Sequence, residues 1–271
     1  MQLKFKDVSY EYQKNQEILQ QITLDLQHGL TVLCGNNGSG KSTLINLLNF
    51  IYKPKQGTRY LNQQKYEKKN KNKEHQKIAT VYQFSDNELF NLTVEEDLLY
   101  AIKVQKKNLA KAQVKIEDYF KIFKLDISIL KTSPFKLSGG QKKKISIISA
   151  LILEPEILIL DEPLIGLDNK AKKEILQILM NLKKELKIIV VLHNYNNIFT
   201  IADHIMELAN KRIALHVPVE KFFQKKYENN KIQQLTDSLK ICKLLNLEYE
   251  QAKKLNNENI VNYLRENYAL Y

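Results

Sequence analysis

The chain has 271 residues, of which 44% are apolar, so it can bury the core of one large domain with a small appendage. Its net charge is +12, but only three of its 42 basic residues are arginine. Because nucleic-acid readers favour arginine, we expect no specific nucleic-acid partner. Weak attraction of the positive charge to an anionic membrane surface explains the composition at least as well. No apolar run approaches the roughly 18 residues of a membrane span, and no secretion signal follows Met1. The two cysteines suit a reducing compartment, so we expect an intracellular protein.

Short strands are predicted in the first part of the chain. Residues 3–10 and 22–26 alternate between apolar and polar, as half-exposed strands do, and residues 30–34 form a short apolar strand. A Pro–Gly break after a first helix at 41–51 precedes a further strand at about 58–62. The lysine-rich residues that follow, about 65–77, are predicted to form a solvated hairpin tip or mobile loop.

Residues 35–42 match the phosphate-loop pattern G-x-x-x-x-G-K-[ST] without a mismatch. The glycines let successive backbone N–H groups converge on an anion, and the helix that follows adds its N-terminal dipole. Lys41 is predicted to reach the β- and γ-phosphates of ATP, and the Ser42 hydroxyl to hold Mg²⁺. The predicted ATP contacts of this segment are Asn36, Asn37, Gly38, Ser39, Gly40, Lys41, Ser42 and Thr43.

Three later apolar strands each end in a polar side chain suited to phosphate chemistry. Since the carboxyl ends of parallel strands face the ligand crevice of such sheets, these side chains are expected near the phosphate loop. Gln83 is predicted to touch Mg²⁺ and the attacking water, and Asp161 to hold Mg²⁺ through water. Glu162 is predicted to orient and deprotonate that water, and His193 to contact the γ-phosphate.

Strands and helices alternate through much of the remaining chain, which predicts a parallel α/β sheet with helical crossovers. Residues 93–131 favour helices, the first of them opened by a capping box of Thr93 and Glu96. From about residue 216 the pattern is all-helical, without any residue set that suggests chemistry. We therefore predict a main domain at 1–215 and a helical extension at 216–271, which we interpret as an interaction module.

The sequence Leu-Ser-Gly-Gly-Gln at residues 137–141 is highly specific beside these motifs. Together with Leu-Asp-Glu-Pro at 160–163 and Gly-Leu-Asp at 166–168, it makes the chain resemble the nucleotide-binding subunits of ABC transporters over roughly residues 1–215. The resemblance implies an α/β fold of the P-loop NTPase, ABC ATPase type. Its sheet is mostly parallel, with an N-terminal antiparallel β part, an inserted helical subdomain at about 84–153 and the C-terminal helical extension.

The resemblance also implies a dimer, because in this family the signature segment completes the ATP site of the other subunit. The residues that act in trans would be Ser138, Gly139, Gly140 and Gln141. Asp168 would communicate across the dimer, and Tyr12 matches the aromatic residue that stacks on adenine, with Tyr10 as the alternative. Lys144, Leu164, Leu192 and Asn194 depart from the usual family residues. None of these departures removes a phosphate, Mg²⁺ or base group, so a competent site is expected.

Residues 81–97 are similar to the segment after the glutamine loop in energy-coupling factor transporters. These importers of vitamins or transition-metal ions pair two ATPases with a transmembrane coupling protein and a substrate-capturing membrane subunit. The resemblance implies a peripheral ATPase at the cytoplasmic face of the membrane, with residues 83–97 near the groove for the coupling helix. An ABC exporter subunit and a soluble ABC ATPase acting on ribosomes or nucleic acid are the alternatives.

Overall fold

A computed structural model describes the backbone of residues 1–14, 16–66, 73–83, 89–192, 197–231, 235–255 and 259–268. Within these segments the chain forms two β-sheets, a set of helices packed on them, and a helical C-terminal part. None of the helices described is both long and apolar enough to cross a bilayer.

The smaller sheet is antiparallel and comes from the first part of the chain. Its strands are β1 (Leu3–Glu11), β2 (Glu17–Asp25), β4 (Gln56–Leu61) and β5 (Gln64–Lys65), in the order β2-β1-β4-β5. The alternating apolar side chains of these strands give the sheet one buried face. This sheet is the N-terminal antiparallel part that the fold prediction requires.

The larger sheet has six strands, and its parallel part places the carboxyl ends of the strands at one edge. In sheet order it consists of β10 (Arg212–Pro218), β9 (His204–Ala209), β3 (Leu30–Cys34), β8 (Lys187–Val191), β7 (Ile157–Asp161) and β6 (Ile78–Val81). All neighbours are parallel except the hairpin of β9 and β10. The central strands are apolar on both faces because both faces are covered.

Helix α1 (Lys41–Leu48) lies between the two sheets and packs on the antiparallel one. Its end differs from the prediction, since the helix stops at Leu48 and Phe50 has a φ of 60°. Ile51, which the sequence placed inside the helix, is consequently outside it and 59% exposed. The turn after α1 therefore projects an apolar side chain toward solvent.

The other face of the large sheet is covered by helices. Helices α4 (Gly139–Ile152) and α5 (Asn169–Leu182) pack on it, while α2 (Val94–Val104) and α3 (Leu109–Ile122) pack against α4 and each other. The predicted capping box of α2 is confirmed, because Glu96 N–H donates to the Thr93 hydroxyl and Thr93 N–H donates to the Glu96 carboxylate. The α/β fold class of the prediction is confirmed.

The last strand of the large sheet extends past the predicted start of the C-terminal part. Strand β10 runs to Pro218 and so crosses the predicted boundary between residues 215 and 216; the division into two domains remains a prediction. The helices that follow are α6 (Val219–Glu228), α7 (Asp237–Leu244), α8 (Tyr249–Ala252) and α9 (Ile260–Tyr268). Helix α6 contacts β9 and β10 through buried aromatic side chains, including Phe222 and Phe223.

One buried ion pair joins this C-terminal part to the sheet. Lys226 of α6 donates to both carboxylate oxygens of Glu207 on β9, at 2.7 Å each. Its ammonium also lies 4.9 Å from the centre of the Phe222 ring. Since Glu207 is paired in register with Cys34, the last residue of β3, the ion pair links α6 to the strand that leads into the phosphate loop.

Replacing Lys226 with methionine should lower the free energy of unfolding by about 3–5 kcal/mol, because it leaves the Glu207 carboxylate buried without its counter-charge. Urea unfolding followed by circular dichroism would measure this change. The double variant Lys226→Met/Glu207→Gln should recover much of the loss, and Lys225→Met, on the exposed side of α6, should have little effect. Equal losses in the three variants would contradict the role of the ion pair.

Candidate active site

The phosphate-loop segment lies between β3 and α1, where only glycine fits at two positions. A Cβ on Gly35 would lie 2.4 Å from the carbonyl oxygen of Leu208 and 2.8 Å from the Ser39 hydroxyl. Gly40 has a φ of 102°, and a Cβ there would lie 2.8 Å from a methyl carbon of Leu19. The chain therefore needs glycine here for close packing, in addition to any need for backbone N–H groups to approach a phosphate.

Lys41 is buried at the start of α1 and folds back over the loop. Its ammonium donates to the carbonyl oxygens of Gly35, at 2.8 Å, and Asn36, at 3.1 Å. Burial lowers the pKa of this lysine, and the nearby carboxylates of Glu162 and Asp161 act in the opposite direction. The positive charge is thus held inside the loop and close to the two acids at the end of β7.

Asp161 and Glu162 follow the buried part of β7 as predicted. Asp161 is paired in register with Val191 of β8, and the Glu162 backbone N–H donates to the Val191 carbonyl at 3.1 Å. Glu162 adopts a left-handed backbone conformation, with a φ of 48°, and its side chain is buried. A non-glycine residue in this conformation costs free energy, so the surrounding strand ends must hold it.

Gln83 comes shortly after the neighbouring strand β6, and a buried lysine fixes its backbone. Lys143 of α4 donates to the carbonyl oxygens of Tyr82, at 3.1 Å, and Gln83, at 3.0 Å. Helix α4 is therefore connected directly to the predicted glutamine. Lys143 belongs to no motif in the sequence, and its only signal is its position two residues after the Leu-Ser-Gly-Gly-Gln segment.

Tyr12 lies beside the loop and is the more accessible of the two candidate aromatic residues. Its hydroxyl is 3.0 Å from the Thr43 hydroxyl, and the residue is 53% exposed. Tyr10 instead stacks on Tyr52, with ring centres 4.9 Å apart and planes 4° from parallel. Because Tyr10 already has a stacking partner, the geometry favours Tyr12 as the ring available to a base.

The signature segment opens α4 with a capping box. The Ser138 hydroxyl accepts from the Gln141 backbone N–H, at 3.3 Å, while the Gln141 amide oxygen accepts from the Ser138 N–H at 2.9 Å. Asp168 is a simple N-cap of α5, whose side chain accepts from the Ala171 N–H at 2.8 Å. The two helix starts are neighbours, since a Cβ on Gly140 would lie 3.1 Å from the Cβ of Ala171.

The structure thus brings Lys41, Asp161 and Glu162 together and places Tyr12 beside the loop. The signature segment and Asp168 form a second group of their own. His193 and Asn194 lie outside the described residues, so the predicted role of His193 remains a prediction.

The parallel sheet, the phosphate loop after β3 and the acids at the end of β7 define a P-loop nucleotide-binding ATPase. Residues 19–165 match the family model described as ABC transporter, which is more than half of the chain. The chain belongs to the ABC transporter family of ATPases and, within it, to the energy-coupling factor type. ATP is therefore its nucleotide substrate.

This narrower assignment comes from curated relatives. The chain is 35% identical to the energy-coupling factor transporter ATP-binding protein EcfA2 of Latilactobacillus sakei, over 79% of this chain and 77% of that one. It is 30% identical to EcfA2 of Staphylococcus epidermidis, over 94% and 92% of the two chains. Among solved structures, cbiO1 of Clostridium perfringens, described as part of the ABC transporter complex cbiONQ, has a TM-score of 0.74 and 28% identity, covering 85% of this chain and 93% of that one.

Proposed function

We propose that the chain is the ATP-hydrolysing subunit of a membrane importer that takes up a vitamin or a transition-metal ion. It would act through a transmembrane coupling protein and a substrate-capturing membrane subunit. The observation that carries this proposal is the similarity to energy-coupling factor transporter ATP-binding proteins, which extends over 94% of the chain in one relative. The likeness to cbiO1 of the cbiONQ complex supports the same assignment.

The residues at the loop suit the phosphates of ATP and a Mg²⁺ ion. Asn36, Asn37, Gly38, Ser39, Gly40 and Thr43 would contact the phosphates beside Lys41. The Lys41 ammonium, which now donates to loop carbonyls, would turn to the β- and γ-phosphates. The hydroxyl of Ser42, the carboxylate of Asp161 and the amide oxygen of Gln83 are oxygen ligands of the kind Mg²⁺ prefers. When bound, Mg²⁺ would neutralise charge on the β- and γ-phosphates.

Glu162 would be the general base. Its carboxylate is held by a constrained backbone beside Asp161, on the same side as the Lys41 ammonium. From there it would orient the attacking water and accept its proton. His193 would contact the γ-phosphate, and the Tyr12 ring would stack on adenine.

We propose that two such ATPase subunits, identical or not, complete each other's sites. Ser138, Gly139, Gly140 and Gln141 would offer the N-terminus of α4 to the γ-phosphate of ATP on the other subunit. Asp168 would face the same interface. Support comes from the exposed positions of Ser138, Gly139 and Asp168 at the starts of their helices, and from the presence of one phosphate loop and one signature segment in the chain.

The proposed position is peripheral, on the cytoplasmic face of the membrane. Support comes from exposed apolar side chains in and beside the 83–97 segment. Leu92 is 83% exposed, and the exposed ring of Phe90 contacts the exposed ring of Tyr100, with centres 5.0 Å apart. A docked helix of a coupling protein would cover such side chains.

Affinity purification of the tagged full chain from detergent-solubilised membranes tests this function. A polytopic membrane protein should copurify, and Leu92→Glu should reduce its yield while ATP binding is kept. Val114→Glu, at a position in α3 that is 60% exposed, is the matched control and should leave the yield unchanged. Recovery of ribosomes or DNA in place of a membrane protein would contradict the proposal and support the soluble alternative.

A further inference from the structure

A cavity of about 720 Å³ lies at the C-terminal end of α1, away from the phosphate loop. Its walls come from the turn after α1 and from strands β4 and β5. Four of the lining side chains are basic and several are apolar or aromatic. They include Phe50, Ile51, Lys53, Lys55, Arg59, Lys65 and Tyr66.

Arg59 is the buried charge of this cavity, with 6% of the residue exposed. Its Nη1 donates to the carbonyl oxygens of Leu47, at 2.8 Å, and Tyr52, at 2.9 Å. The centre of its guanidinium lies 4.3 Å from the Phe50 ring centre and 5.5 Å from that of Tyr66. Within the described part of the chain, no carboxylate pairs with Arg59 and no atom accepts from its Nη2 or Nε.

Burial lowers the pKa of Arg59 to about 10, so it still carries a charge at neutral pH. A buried guanidinium without a carboxylate is costly, and an anion in the cavity would offset that cost. Lys53 adds a second cation that has no carboxylate partner among the residues described, whereas Lys55 is paired with Glu11 at 2.6 Å. The electrostatics of the cavity therefore favour an anion.

The rim of the cavity distinguishes between sources of that anion. Ile51 is 59% exposed, and Pro54 and Phe50 continue the apolar lining beside the lysines. An apolar side chain flanked by lysines suits the boundary between headgroups and acyl chains of a bilayer. A small soluble phosphate compound would leave Ile51 in water.

We propose that this cavity binds the phosphate of an anionic phospholipid headgroup, with Arg59 and Lys53 on the phosphate and Ile51 at the acyl-chain boundary. The remaining N–H groups of Arg59 are suited to two phosphate oxygens at once. Arg59 donates to the Leu47 carbonyl in the last turn of α1 and to the Tyr52 carbonyl in the turn that follows, so the lipid would bind at the end of the helix whose start forms the phosphate loop. The site does not depend on the membrane protein partners proposed above.

Flotation of the full chain with vesicles tests this inference. Saturating ADP and Mg²⁺ should be present so that the phosphate loop is occupied. We expect binding to vesicles that contain phosphatidylglycerol and little binding to pure phosphatidylcholine. Lys53→Glu should weaken the binding roughly tenfold or more, since one lysine at an anionic surface contributes about fivefold and the reversal counts twice. Arg59→Lys should weaken it as well, because the charge remains while the bidentate fork is lost.

Lys184→Glu is the matched control, because it makes the same change in net charge at an exposed lysine just after α5. It should reduce binding much less than Lys53→Glu. Equal losses in Lys53→Glu and Lys184→Glu would mean that net charge alone attracts the chain, which would overturn the proposal. Binding of inorganic phosphate that depends on Lys53 and Arg59, without binding to vesicles, would overturn the lipid assignment.

Discussion

Replacing Glu162 with glutamine should lower the rate of ATP hydrolysis about 100- to 10,000-fold while ATP still binds. Glutamine has the same shape, so it fits the buried position, but it cannot take a proton from water. The left-handed backbone and the hydrogen bond from the Glu162 N–H to Val191 do not depend on the carboxylate. The loss should therefore be one of chemistry and not of folding.

Single-turnover hydrolysis and equilibrium ATP binding, measured on the same protein, separate these effects. If two subunits share their sites, Glu162→Gln with ATP and Mg²⁺ should also elute as a dimer in size-exclusion chromatography. Glu185→Gln, at an exposed position near the end of α5, is the control and should hydrolyse ATP normally. Undiminished hydrolysis by Glu162→Gln would rule out the assignment of the base.

Replacing Lys41 with alanine should weaken ATP binding by about 100-fold or more. The ammonium is expected to bond both terminal phosphates, and a hydrogen bond to a charged group contributes about 1.5–3 kcal/mol. Its present partners are the carbonyl oxygens of Gly35 and Asn36, which water can reach in the variant. The affinity for ATP should therefore fall more than the stability of the fold.

Titration with a fluorescent ATP analogue would measure the affinity, and thermal unfolding without nucleotide would measure the fold. Lys184→Ala provides the matched control at an exposed site. Normal ATP binding by Lys41→Ala, with an unchanged unfolding temperature, would refute the role assigned to the loop lysine.

The elements around the phosphate loop could be predicted because their signals are local. Strand β3 ends one residue before Gly35, and α1 begins at Lys41, as the pattern requires. The Thr93 capping box is local as well, since its two partners are three residues apart. When the residues that determine a local conformation are neighbours in the chain, that conformation can be predicted from the sequence.

The hairpin of β9 and β10 could not be predicted in this way. Its turn is formed by Asn210 and Lys211, with φ values of 49° and 65°. Two-residue hairpin turns of this kind usually contain a glycine, which makes them recognisable in a sequence, but this turn has none. Neither strand is therefore predicted from the sequence, although Ile205, Met206 and Leu208 of β9 are buried in the core.

The other surprises depend on partners far away in the sequence. Lys226 pairs with Glu207, and Lys143 donates a hydrogen bond to the Gln83 carbonyl. Both contacts form only when the sheet and helices are assembled. The same holds for the left-handed conformation of Glu162, which the neighbouring strand supports through Val191. A lysine in a lysine-rich chain carries no signal of its own, so its role could be found only from the fold.

The starts of α4 and α5 approach each other so closely that a Cβ on Gly140 would lie 3.1 Å from the Cβ of Ala171. A larger side chain at either position would crowd the other helix and shift Ser138 relative to Asp168. In a dimer that meets through these two helix starts, each subunit would present Ser138 and Asp168 as two neighbouring contact points. A side chain larger than that of glycine at position 140 would then disturb both contact points together.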